Sequence, residues 1–99
     1  MGLPIEFDRE KLAEFCRRNH IRKLSLFGSV LHDDFGPESD VDMLVEYEPG
    51  AKITFIDMGS QEIALAEMVG RKVDLRTPQE LSRFFRAEVV EGAVVQYAE

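Results

Sequence analysis

The sequence predicts an α/β domain, a small mixed β-sheet with helices packed mainly on one face. Three observations carry that reading. Apolar strand-like runs alternate with helix-periodic segments in the order α-β-turn-β-α-β-α, followed by a β-like tail. Helix starts and stops are marked at Asp8, Thr54, Gly70 and Thr77-Pro78. The 99 residues, 44% hydrophobic and 31% charged, suit one folded domain (1–99) with a small core.

Each element has a local cause. Asp8 is placed to cap a helix reaching Arg18, with Leu12, Phe15 and Cys16 on one side. Cys16 lies on that apolar stripe and reads as core rather than as a nucleophile. Asn19 and His20 end the helix. Residues 21–27 read as a strand, with Leu24 and Leu26 facing one way and Ser25 and Phe27 the other. Gly28-Ser29 follows at once, with one short helical turn expected over 29–32. Residues 33–39, rich in Gly, Pro, Asp and Ser, read as a loop.

A second strand over 41–47 stops at the turn formed by Glu48, Pro49, Gly50 and Ala51. Thr54, with Asp57 three residues on, opens a helix that carries Phe55, Met58, Ile63, Leu65, Ala66 and Met68. Gly59 and Ser60 mark a break in its first half, and Gly70 ends it. Residues 72–76 form a short strand in which Asp74 points opposite to Val73 and Leu75. Thr77-Pro78-Gln79-Glu80 signals the start of another helix. Phe84, Phe85 and the Met58/Met68 side of the middle helix are expected in the core. The tail over 87–98 fits either a helical turn or a last strand at 94–97.

Composition narrows the function. Twelve basic against nineteen acidic residues give a net charge of −7. Such a chain gains little from the counterion release that drives general nucleic-acid binding, so long nucleic acids are not expected partners. A metal–nucleotide complex or a basic protein is compatible with it. The lone cysteine cannot form an internal disulfide, and no apolar run approaches the roughly 20 residues that span a bilayer. No signal-peptide pattern opens the chain, and the expectation is a cytoplasmic protein with no membrane contact.

Residues 28–42 hold the chemistry. Glycine lets backbone N–H groups approach a phosphate, and the Ser29 hydroxyl adds a donor at the start of a short helix. Asp40 and Asp42 project from the same side of a strand, roughly 7 Å apart along it. Two carboxylates so placed repel each other, and a divalent metal relieves that repulsion. Asp74, an acid within a short apolar strand, completes a set of three. Two metals about 3.5–4 Å apart, held by such a set, bind both the attacking oxygen and a triphosphate. Asp40 and Asp42 would bind the metals, and Asp74 would act as the base toward the attacking hydroxyl.

Gly28-Ser29, a ten-residue gap, and Asp40-x-Asp42 running into Met43, Leu44 and Val45 resemble the signature of the DNA polymerase β-like nucleotidyltransferases. The short chain is similar to the minimal nucleotidyltransferases (MNT), the stand-alone form. Val73-Asp74-Leu75 before Thr77-Pro78 resembles that group's third-carboxylate strand. The resemblance implies the nucleotidyltransferase fold and Mg²⁺-dependent transfer of AMP from ATP to a tyrosine of a HEPN-domain partner. Such partners are small helical ribonuclease toxins, and the minimal nucleotidyltransferase serves as antitoxin. Gly28 and Ser29 would then hold the triphosphate, Asp40 and Asp42 would bind Mg²⁺, and Asp74 would assist the tyrosine hydroxyl.

Two other readings stay open: an antitoxin of the same fold acting by contact alone, and transfer to a small molecule in a pocket completed by a homodimer. The chain departs from the family at 30–33. Many members place arginine directly after the Gly-Ser pair and then Ala-Arg-Gly, where this chain has Val30, Leu31, His32 and Asp33. The lost positive charge must come from Arg71, Lys72, Arg76 or the partner, or nucleotide affinity falls.

Overall fold

The computed structural model describes residues 5–32, 36 and 38–99. The Asp8 carboxylate accepts from the amides of Glu10 and Lys11, both at 3.1 Å, and so starts helix α1, Arg9–Arg18. Leu12, Phe15 and Cys16 are its buried residues, and burial pushes the Cys16 thiol up to about 12, as befits an inert core cysteine. His20, at φ 58, turns the chain into β1, Ile21–Phe27. A 3₁₀ turn over Gly28–Leu31 follows, and the next element is β2, Val41–Tyr47; of the loop expected over 33–39, residues 33–35 and 37 lie outside the described residues.

Helix α2, Phe55–Val69, begins with a capping box. The Thr54 amide donates to Asp57 Oδ2 at 2.9 Å, and the Asp57 amide donates to Thr54 Oγ1 at 3.1 Å. The helix ends at Gly70, whose φ of 69 is left-handed. It runs unbroken through Gly59 and Ser60, against the expected break, because the box fixes its start while Gln61 and Leu65 bury its middle. It leads into β3, Val73–Arg76. The crossover matters, since parallel strands cannot be joined by a tight hairpin.

The sheet order is β3-β2-β1-β4, where β4 is Val94–Ala98. Both β2 and β4 run antiparallel to β1, and β3 runs parallel to β2. Alternation divides the sheet into two faces. Leu24, Leu26, Val41, Met43, Val45, Val73 and Leu75 join Leu12, Phe15 and Leu65 in one buried core under α1 and α2. Phe27, Asp42, Leu44, Asp74 and Arg76 alternate with them toward the opposite face. The expected α/β architecture is therefore observed.

The C-terminal third departs from the sequence reading. The box at Thr77 forms, yet it opens only a 3₁₀ turn, Pro78–Glu80. Arg86 explains the stop. Its guanidinium donates to the carbonyls of Pro78 at 2.7 Å, Gln79 at 3.3 Å and Leu81 at 3.1 Å, acceptors that a continuing helix would have used. A separate helix α3, Arg86–Gly92, then precedes β4, so the ambiguous tail supplies both a helix and a strand. Phe84 and Phe85, expected in the core, are 82% and 55% exposed because the chain folds back before either can reach it. Met58 packs against the core, whereas Met68 lies at the surface. Among the described residues no helix is long and apolar enough to cross a membrane.

Candidate active site

Strand pairing assembles the site. The antiparallel pair sets Phe27 opposite Asp42, and the parallel pair sets Asp42 opposite Asp74. Gly28, one residue past Phe27, therefore lies against the Asp42 carboxylate. Its φ is 78, and a Cβ added there would overlap Asp42 Oδ2. Glycine is required twice over, for backbone conformation and for space. Among the described residues no side chain caps the turn that Gly28 opens, and the His32 amide returns to the Ser29 carbonyl at 2.9 Å.

Asp40 is exposed, just before β2. The backbone leading to it is tied down: the Gly36 amide donates to Ser39 Oγ at 3.0 Å, and the Ser39 amide donates to the Gly36 carbonyl at 3.1 Å. Arg71 donates to the Gly36 carbonyl and, at 3.2 Å, to that of Ser39. Expected as a cation for the triphosphate, Arg71 thus secures the segment carrying Asp40. Asp33 lies outside the described residues, Val30 is buried, and His32 is exposed.

Partial burial raises the pKa of Asp42 above the usual aspartate range; the charges of Asp74 and then Asp40 push the same way, and Arg76 opposes them. Both of the other predicted carboxylates therefore act on Asp42. Mg²⁺ prefers hard oxygen donors and is commonly held by one or two carboxylates together with substrate phosphates. Among the described residues no three His, Cys, Asp or Glu side chains form a ready-made metal cage. The in-register Asp42 and Asp74, with Asp40 two residues before Asp42 and the Gly28 backbone against the Asp42 carboxylate, fit that mixed protein–phosphate mode.

Arg76, expected like Arg71 as a cation for the triphosphate, is instead paired with an acid, and Glu62 was missed by the sequence reading. Arg76 engages Asp74 with a two-pronged contact, Nε to Oδ1 at 3.1 Å and Nη2 to Oδ2 at 3.2 Å. Glu62 of α2 accepts from the Leu75 amide at 2.8 Å, closing the free edge of β3 next to Asp74. The signal for Glu62 was its place four residues after Met58 and three before Leu65, on the inner side of the helix. Two clefts flank the carboxylates. One of about 490 Å³ is bounded by Phe27, Gly28, Leu31, His32, Glu88 and Val89. The other, of about 240 Å³, is bounded by Phe55, Met58, Glu62, Asp74, Arg76 and Glu80.

Over residues 9–95 the chain matches the model of the nucleotidyltransferase domain family. It belongs to that family. This nucleotidyltransferase is 24% identical over 86 residues to a candidate protein adenylyltransferase, MJ0435 of Methanocaldococcus jannaschii, covering 87% of this chain and 90% of that protein. A solved structure described as a candidate minimal nucleotidyltransferase is 30% identical, with a TM-score of 0.70 and coverage of 87% and 86% of the two chains. A chain from the complex of a tri-AMPylated Shewanella oneidensis HEPN toxin with an MNT antitoxin superimposes with a TM-score of 0.63. That chain is 22% identical, with 92% of this chain and 70% of the other covered, and the likeness there is one of fold. The fold and the minimal-nucleotidyltransferase resemblance read from Gly28-Ser29 and Asp40-x-Asp42 both hold.

Proposed function

We propose that this nucleotidyltransferase transfers AMP from ATP to a tyrosine hydroxyl of a HEPN-domain ribonuclease toxin, and so acts as its antitoxin in the cytoplasm. One observation carries the reading: Asp42 stands in register with Asp74 and against Gly28, so a phosphate-accepting turn and a carboxylate pair share one edge of the site. Gly28 and Ser29 hold the triphosphate through backbone amides and the serine hydroxyl. Asp40, Asp42 and Asp74 hold Mg²⁺, which when bound neutralises phosphate charge and lowers the pKa of a coordinated hydroxyl. Asp74 takes the phenolic proton while the phenolate oxygen bonds to the α-phosphorus and the bond to pyrophosphate breaks.

The position of Asp74 supports its role, since it lines the smaller cleft with Phe55 and Met58, apolar walls suited to an aromatic acceptor. Exposed Phe55, Ile56, Phe84 and Phe85 favour a protein acceptor over a small molecule. The AMPylated toxin in the related complex supports the same choice. A second reading, neutralisation by contact alone, draws on the exposed His32 and the buried Val30 where many relatives place cations.

Intact mass spectrometry of the toxin after incubation with the chain, ATP and Mg²⁺ separates the two. Gain of one or more AMP units, lost in Asp42→Asn, is expected. Full inhibition of the toxin with no mass gain would sink the catalytic reading in favour of contact.

A further inference from the structure

We propose that Arg76 is a tethered counter-cation for the carboxylate pair, which holds Asp74 before a divalent ion arrives and competes with that ion for it. The inference rests on reading Asp42 and Asp74 as metal ligands, and it adds a regulator to that site. Arg76 follows Asp74 by two residues on β3, so both side chains leave the strand on the same face. The guanidinium fork meets both carboxylate oxygens, at 3.1 and 3.2 Å, which are the same oxygens a metal would take. Its register partner on β2 is Leu44, which offers no competing acceptor. The side chains of Arg76 and Asp74 are 47% and 35% exposed, so solvent screens the pair and makes it a weak, displaceable lock. A β3 strand with two bare carboxylates beside it would otherwise carry uncompensated repulsion whenever metal is scarce.

The test is Mn²⁺ binding to the full chain without nucleotide, followed by the electron paramagnetic resonance signal of the free ion. Arg76→Met should bind Mn²⁺ about three- to tenfold more tightly than the parent, the scale of a partly screened ion pair. Arg76→Lys, which keeps the charge and loses the fork, should fall between them. Arg83→Met removes the same charge from an exposed residue stacked on Phe84 and should change affinity less than about twofold. In an Asp74→Asn background the gain from Arg76→Met should vanish. Unchanged or weaker binding in Arg76→Met, an equal gain in Arg83→Met, or a gain that survives Asp74→Asn overturns the proposal. Failure of the catalytic reading looks different: the wild-type chain transfers no AMP while the Mn²⁺ ranking of these variants stands.

Discussion

Asp42 binds its proton more tightly than an ordinary aspartate, and the causes of that shift dictate what replacing it should do. Partial burial comes first, then the charges of Asp74 and Asp40. A carboxyl with a raised native pKa favours the folded state at pH values below its unfolded pKa, and that contribution is lost as pH rises through the native value. Metal-free protein should therefore melt higher as Asp42→Asn at pH 7, by about 2–5 °C, with the difference fading toward pH 3, below the ordinary aspartate pKa of about 3.9. Thermal melts in chelator at the two pH values check this, and an unchanged or lower melting temperature at pH 7 would refute it. Transfer activity should be lost in the same variant, so stability and function move in opposite directions at one residue. Gly28 gives the complementary case. Gly28→Ala must accommodate a methyl group against Asp42 Oδ2 at a left-handed φ, and should lower the unfolding free energy by about 1–3 kcal/mol in urea titrations.

At the scale of elements, β3 is the vulnerable piece. It has four residues and, among the described residues, only β2 as a strand neighbour, yet it must present Asp74 within reach of Asp42. Its outer edge is held by Glu62, through the Leu75 amide. Glu62→Ala leaves that amide without its acceptor and should cost about 1–2 kcal/mol, with kcat falling more than KM rises. Glu62→Gln keeps an acceptor oxygen at the same reach and should restore most of both, measured by AMP transfer and urea unfolding. Equal losses in the two variants would show that charge, not the hydrogen bond, matters there. The same scale shows what was legible in the sequence. Asp8, the Thr54–Asp57 pair and Gly70 act within one helical turn, so α1 and α2 could be read locally. Gly28, Ser29, Asp40 and Asp42 were legible because two adjacent strands bring one short stretch together. Asp74 was readable as an acid on a strand, while its pairing with Asp42 depends on the parallel register. Arg86 was not readable at all: it takes carbonyls five to eight residues back and cuts a well-signalled helix to one turn.

Across the whole molecule, apolar surface is left where folding gives it no partner. Helix α2 turns Leu65 and Met58 inward and still leaves Phe55 and Ile56 outside, while the fold-back secured by Arg86 strands Phe84 and Phe85. Phe84 touches Arg83, its cation 5.1 Å from the ring centre, so its removal should cost the native state little. Aromatic side chains exposed on an otherwise acidic chain of net charge −7 suit a partner that meets them with apolar pockets and a basic surround. Such a complex should form faster at low salt, because the charge steers approach while the aromatics hold the product. Phe55→Glu and Phe84→Glu address the two exposed aromatic pairs separately. Each should weaken association with the toxin about tenfold or more by surface plasmon resonance, chiefly through faster dissociation, and leave the melting temperature unchanged. Phe55→Glu should also slow AMP transfer at saturating partner, since Phe55 bounds the cleft with Asp74, whereas Phe84→Glu should slow it only below saturation. Undiminished binding in both variants would place the partner elsewhere, and a fall in melting temperature would return these phenylalanines to a structural role.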